Sequence, residues 1–577
     1  MQQRIERIDD IPLLLHWLDA MRVQESIDSI WLPHGNRGGL SYGQLASLFV
    51  TYVLHSLNHR LYQMEEWLTS HLAVIQSSTG WDLTAKDATD DRLARMLEVL
   101  GSTDDDNLRF QREMGRHLIQ AYELPTEVAR YDTTSFSVYH APGRQGPDSI
   151  LRFGYSKDHR PDLLQFKQGL ATLDPAGLPL FSETLPGNGS DDPLYFPAWR
   201  QLKQNIGHAD FLYVADCKAS ALSTRAAIDQ EGGFYLFPLP MTGEIPEQLC
   251  QLVLHPPAEL QPIFLAPTAD QKVPPTKIGQ GFAVHKPMQT NLDGGSLHGW
   301  NEQWFVVQSH AYAESQTKAC IERIQKAEQE LQRLKPKKAE TPQQFQHRAE
   351  KVLENRDCQG LLTLEVQETV TQRQKYLGRG RPKADSPRQV VELRQLTLRF
   401  QREDASIEQR LRLAGWRIYV SNMAPSRLSL RQSVRYYREE WRVERGFHRY
   451  KEGSLPVLPL FLRVPERIKG LMMLLTVALQ AITLLEYVAR RELAAHQDEL
   501  AGLVPGNPKM KTRRPTAERL LAQFTQIHLL IEESDSSISG RMVEALSPIQ
   551  LRILGLLHIP ATVYAIAFSQ RKFDDSS

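Results

Sequence analysis

The chain has 577 residues, more than one hydrophobic core ordinarily organises, so two to four domains are expected. Apolar residues make up 41% and charged residues 24%, a composition that excludes a disordered or fibrous chain and reads as soluble and globular. Lysine plus arginine equals aspartate plus glutamate, 68 each, which excludes a uniformly basic surface but allows basic patches on one face.

In chain order, residues 1–125 read as all-helical. Ser41 with Gln44 fits a capping box, and an apolar-periodic helix is expected from Leu45 to Leu68. A second helix is expected near Asp91–Leu100, with Gly101 as its stop. The character changes at Val128, where ARYDTTSFSVY is rich in β-branched and aromatic residues and predicts a strand. Strands are expected at Gln165–Leu173, Leu178–Leu185 and Asp210–Ala215, and helices at Leu194–Ile206 and Ala219–Gln230. GNGSDDP between them reads as a loop with Asp191 and Asp192 in a solvated turn. Together these segments, residues 126–231, suggest an α/β core with a mixed sheet.

Residues 232–412 read as an insertion. It opens β-rich and then carries a helical hairpin at about 313–357, with Cys320, Ile324, Ala327, Leu331 and Leu334 forming a coiled-coil-like stripe. Strands are expected again at Leu362–Val370 and Val390–Phe400. Residues 413–490 return to the core through the strand WRIYVSN, and Ser429 with Gln432 opens a helix carrying YYREEWRVERGFHRYK. The apolar run Gly470–Leu485 is short for a membrane span and holds Thr476, Gln480 and Thr483, so a buried core helix is expected and no membrane partner. Residues 491–577 read as helical. Cys217, Cys250, Cys320 and Cys358 form no C-x-x-C pair and Met1–Asp10 has no apolar leader, which fits a reducing cytosol.

The residues that carry chemistry are acidic. Asp132 sits mid-strand and Asp216 ends the strand FLYVAD; a carboxylate there is costly to bury unless paired or bound to a metal. Taken singly, each also fits a strand or turn cap. On the helix after Ser429, Tyr437, Glu440, Glu444, His448 and Lys451 recur at spacings of 3, 4, 4 and 3 and would share one face. Carboxylates from two strands and a helix suit hard divalent cations, and two such ions roughly 3.5–4 Å apart serve phosphoryl transfer.

These residues resemble the DDE transposases of bacterial insertion sequences, in the subgroup whose RNase H-like core is interrupted by a long β-rich insertion. The subgroup's signature runs Tyr, two residues, Arg, three residues, Glu, six residues, Lys; this chain has Tyr437, Glu440, Glu444 and Lys451 at those places, with Glu440 where Arg is expected. GYSKDHRPDLLQ, LPGNGSDD, VADCKAS and ERGFHRYK also resemble segments of one branch of these enzymes. The resemblance implies an RNase H-like mixed-sheet core with a β-rich and helical-hairpin insertion, an all-α N-terminal domain and a helical C-terminal region. It implies Asp132, Asp216 and Glu444 as catalytic and as ligands of two Mg²⁺ ions, which Mn²⁺ can replace. It implies cleavage at the element's inverted-repeat ends, joining of the 3′-hydroxyls to target DNA, a homodimer in the synaptic complex and action in the bacterial cytosol.

Contacts to double-stranded DNA are expected from Tyr437, Lys451 and His448, and from Arg438 or Arg442 in place of the signature Arg. GRGRPK, with Arg379 and Arg381, resembles an AT-hook core that enters a narrow minor groove, or else is a polar linker. The N-terminal helices are the expected readers of the DNA ends, or a dimer interface. An RNase H-like nuclease that cuts without joining, and a repurposed DNA-binding protein, stay open as alternatives.

Overall fold

Segments dense in β-branched and aromatic residues set the central sheet. In the computed structural model, which describes residues 2–32, 38–142, 149–156, 159–265, 274–292, 295–377, 388–534 and 537–571, these are β1 (Val128–Val138), β2 (Leu164–Leu173), β3 (Leu178–Pro186), β4 (Leu212–Val214) and β5 (Phe234–Pro238). Helix α1 (Tyr195–Ile206) lies between β3 and β4 in the chain. Helices α2 (Leu430–Arg438), α3 (Trp441–Lys451) and α4 (Pro465–Ala495) follow late in the sequence. The chain divides into two units, Met1–Pro240 with Lys286–Gln303 and Val420–Ser577, and Met241–His285 with Trp304–Tyr419. The expected N-terminal, core and C-terminal regions thus share the first unit.

In that unit the five strands run in the order β3-β2-β1-β4-β5. β1 to β3 pair antiparallel, with Asp132 opposite Leu170; β1 pairs parallel with β4, and β4 with β5. Every residue of β2 is buried, as in a strand covered on both faces. α1 ends at Gly207, whose φ of 95° lies in the left-handed region that favours glycine. α4 is the apolar run expected to be a core helix: it is long and apolar enough to cross a membrane, yet 94% of its most apolar window is buried inside the fold.

Several expectations need correction. The helix expected at Leu45–Leu68 is two, Tyr42–Ser56 and Leu61–Ser70, because the chain turns at Leu57, φ 51°. The N-terminal region is not all-helical and the C-terminal region is not purely helical. Gln2–Arg7 pairs with His528–Glu533, which pairs with Ser537–Met542 and then Ala567–Arg571, in one antiparallel sheet. These strands are short; His528–Glu533 does alternate, burying Leu529 and Ile531, but six residues make a weak period against the helical segments around them. The single helix expected after Ser429 is also two. Its capping box forms, but α2 stops at Glu439, whose N–H returns to the carbonyls of Arg435, Tyr436 and Tyr437. Tyr437 therefore lies on a different helix from Glu444 and Lys451.

In the second unit, His310–Arg333 and Pro342–Asn355 are the two helices of the expected hairpin. Cys320, Ile324, Ala327 and Leu331 are buried with Ala349 and Leu353, and Leu334 packs on them. Leu362–Tyr376 and Arg388–Arg402 pair residue for residue along their whole length as a two-stranded antiparallel ribbon. The GRGRPK segment with Arg379 and Arg381 lies outside the described residues.

Candidate functional site

The parallel pairing of β1 with β4 brings the two aspartates together. The register runs Val128↔Leu212, Ala129↔Tyr213, Arg130↔Val214. Asp132 and Asp216 each stand two residues beyond the last pair, and Asp216 keeps extended backbone at φ −72°, ψ 179°. Strand alternation puts both carboxylates on one side, at adjacent strands about 4.8 Å apart. β1 is also where the sheet changes from antiparallel to parallel neighbours.

Both aspartates are held locally. The backbone N–H of Thr133 donates to Asp132 Oδ1 at 2.7 Å. Asp216 Oδ1 accepts from the Tyr195 hydroxyl at 2.5 Å and from the Lys218 N–H at 3.0 Å. Burial, then Asp216, then Asp132 raise the Tyr195 hydroxyl far above the ordinary tyrosine range, so it stays a donor.

Glutamates arrive from α3. Glu444 lies in its first turn, exposed, and Glu440 is its half-buried N-cap. The Glu440 carboxyl is pushed up to about 7, by burial first and then by Asp132, Glu444 and Asp216, against the pull of Arg130. The charges of Asp132, Glu444 and Asp216 thus all reach Glu440. Among the described residues, no three His, Cys, Asp or Glu side chains are close enough to enclose an ion. The carboxylates share a field without forming a closed coordination sphere. Oxygen-only donors are the kind a hard divalent cation takes.

The opposite face of α3 explains why the helix sits there. Tyr450 is fully buried, meets the Phe136 ring of β1 edge-on at 6.5 Å and donates its hydroxyl to Thr476 of α4 at 3.0 Å. A Cβ on Gly446 would lie 2.8 Å from Leu170, the residue opposite Asp132. Behind α3, Glu486 of α4 is 4% exposed and accepts from Arg445 and from Arg449, the latter at 2.8 Å, while Arg490 pairs with it at 2.5 Å. A second buried network joins Arg130, 1% exposed, to Asp174 in a two-pronged contact of 2.8–3.2 Å.

The expected DNA contacts are distributed unevenly. Lys451 is half-buried, its Nζ 5.9 Å from the centre of the Phe136 ring, on the same helix as Glu444. Tyr437 is half-buried at the end of α2 and Arg438 beside it is exposed. His448 is 66% exposed, 4.0 Å from Glu452. Arg442 is drawn inward to Asp174 at 3.7 Å, Glu439 at 3.4 Å and the Pro175 carbonyl. The solvated turn expected at Asp191 is wrong: the residue is 4% exposed and carries both Lys167, at 2.6 Å, and Lys218. The two lysines lie far apart in sequence and meet only through the β2 register, so no local pattern marks them. Tyr195 was equally unmarked, one aromatic residue among several on α1.

No protein-family model matches the chain, and no curated protein matches it. Among solved structures, one similar chain is that of a cryo-EM structure of piggyBac transposase synaptic complex with hairpin DNA. It is 10% identical with a TM-score of 0.34, over 90% of this chain and 82% of that one. A likeness at that level carries no functional weight.

Proposed function

We propose that the chain is a metal-dependent DNA phosphoryl-transfer enzyme, the DDE transposase of a bacterial insertion sequence, with an RNase H-like core. The observation that carries this reading is the β1–β4 register, which sets Asp132 and Asp216 at matching places on adjacent strands, with Glu440 in the field of both and of Glu444. The strand order β3-β2-β1-β4-β5, with the first three antiparallel and the last two parallel to β1, supports the RNase H-like assignment. Asp132, Asp216 and Glu444 would hold Mg²⁺, and Glu440 adds a fourth oxygen donor group where the family signature has Arg.

When bound, such ions stabilise charge on a phosphodiester and lower the pKa of bound water. The chain's own residues do the rest. β1 and β4 fix the spacing of the two aspartates. Tyr195 donates to Asp216 and keeps it oriented. Lys451 offers a cation to the DNA backbone on the same helix as Glu444. The family implies that two chains pair the element's ends before joining them to target DNA.

The test is cleavage of a labelled DNA carrying the element's own ends, with Mg²⁺, by wild type and Glu444→Gln. Release of 3′-hydroxyl ends that falls about 100-fold or more in the variant is expected, equivalent to several kcal/mol of transition-state stabilisation. Equal cutting removes Glu444 from the site. Binding of the ends without cutting by either protein makes the repurposed DNA-binding protein the better reading.

A further inference from the structure

Beside the carboxylates lies a second charged group that the reaction above does not use. Asp191 has a side chain only 3% exposed, yet two lysines converge on it. Lys167, 11% exposed, donates to Asp191 Oδ1 and to the Gly189 carbonyl, both at 2.6 Å. Lys218 donates to Asp191 Oδ2 while its own backbone N–H donates to Asp216 Oδ1 at 3.0 Å. Burial alone would favour a neutral Asp191, but the hydrogen bonds from Lys167 and Lys218 outweigh it and hold the carboxyl below its ordinary range. One buried carboxylate is thus shared by two cations, and Lys218 also lies in the field of Asp216 and Asp192. The buried Lys167 has two oxygen acceptors within the protein, whereas the Lys218 side chain is 39% exposed. The accessible cation of the group is therefore Lys218, two residues from Asp216.

We propose that Lys218 binds a DNA phosphate on the Asp216 side of the carboxylate cluster, and that the buried Asp191 is the positioning residue that aims it. This rests on the reading that the cluster acts on DNA. Lys451 would serve the α3 side, so a phosphodiester would meet a cation from each flank while the acidic cluster faces its centre. A lysine suits this task as a point charge with three donors, of which Asp191 uses one.

The test is binding of a fluorescein-labelled DNA duplex of about 30 base pairs by the full chain, between about 50 and 200 mM salt. Lys218→Gln, with an unchanged melting temperature, should weaken binding and reduce the slope of log K against log salt by about one, and Lys218→Arg should restore the slope. In an Asp191→Asn background, Lys218→Gln should change affinity much less than in wild type, a coupling that a merely structural Asp191 would not produce. A folded Lys218→Gln protein with wild-type affinity and slope overturns the inference, as does full additivity of the two substitutions for the role of Asp191. If the slope falls but the wild type never cuts DNA with Mg²⁺, the phosphate contact stands and the phosphoryl-transfer reading fails. A wild type that binds no duplex at all overturns both.

Discussion

Glu440 is the residue whose charge state reports on its neighbours. Its carboxyl rises from 4.5 to about 7 because it is half-buried and faces Asp132, Glu444 and Asp216. A carboxyl raised in the folded state contributes fully to stability below its unfolded value, and that contribution is lost as pH climbs through the folded one. Ionised Glu440 therefore destabilises the metal-free protein above about pH 7. Glu440→Gln should raise the metal-free stability at pH 8 by on the order of 1–2 kcal/mol, after discounting for solvent screening, and change it little at pH 4. Thermal melts at the two pH values check this; an equal effect at both would remove the carboxylate repulsion from the account. Much of this residue-scale pattern was legible. Asp132 and Asp216 stood out because each follows an apolar strand core, and Glu444 because helical spacing linked it to Lys451. Tyr195, Asp191 and Lys218 were illegible as a site, since their partners are chosen by strand register and not by sequence spacing.

At the scale of elements, the long buried helix α4 is the frame to which α3 is fastened. Glu486 gathers Arg445 and Arg449 from α3 and Arg490 from its own helix. Replacing it with Gln would leave buried guanidinium groups undercompensated, and Glu486→Gln should cost about 3–5 kcal/mol in urea unfolding. A loss below about 1 kcal/mol would show that packing of Phe447 and Tyr450 alone docks the helix. The other side of α4 crosses the helix Asp90–Leu100 with backbones in close approach. A Cβ on Gly470 would lie 2.0 Å from the Leu97 carbonyl oxygen, and one on Gly101 1.9 Å from that of Glu466. Gly470→Ala should destabilise by about 1–3 kcal/mol or more because backbone must shift. Gly446→Ala, which meets only leucine methyl groups, should cost less, and the opposite ranking would contradict the crossing described. The capping boxes at Ser41 and Ser429 were readable and both form. The break at Glu439 was not readable, because both flanking segments have helical composition. It is in the fold that Glu439 comes to lie 3.4 Å from Arg442 and 3.9 Å from Arg130.

Across the whole molecule, the proposed metal-binding site draws on residues far apart in the sequence. β1 and β4 supply Asp132 and Asp216 early in the chain, and α3 supplies Glu444 after the second unit has been inserted. The mixed sheet was legible from its strand composition. The small sheet joining Gln2–Arg7 to the C-terminal strands was not, since pairing between chain ends leaves no local period. The most direct test is calorimetric titration of the full chain with Mn²⁺ at pH 8, for wild type and for Asp132→Asn, Asp216→Asn and Glu444→Gln. One shared site predicts that each substitution weakens binding by at least about 10-fold while the protein stays folded. Wild-type affinity in any of the three would show that the carboxylates share a field without sharing a metal, and would contradict the proposed site.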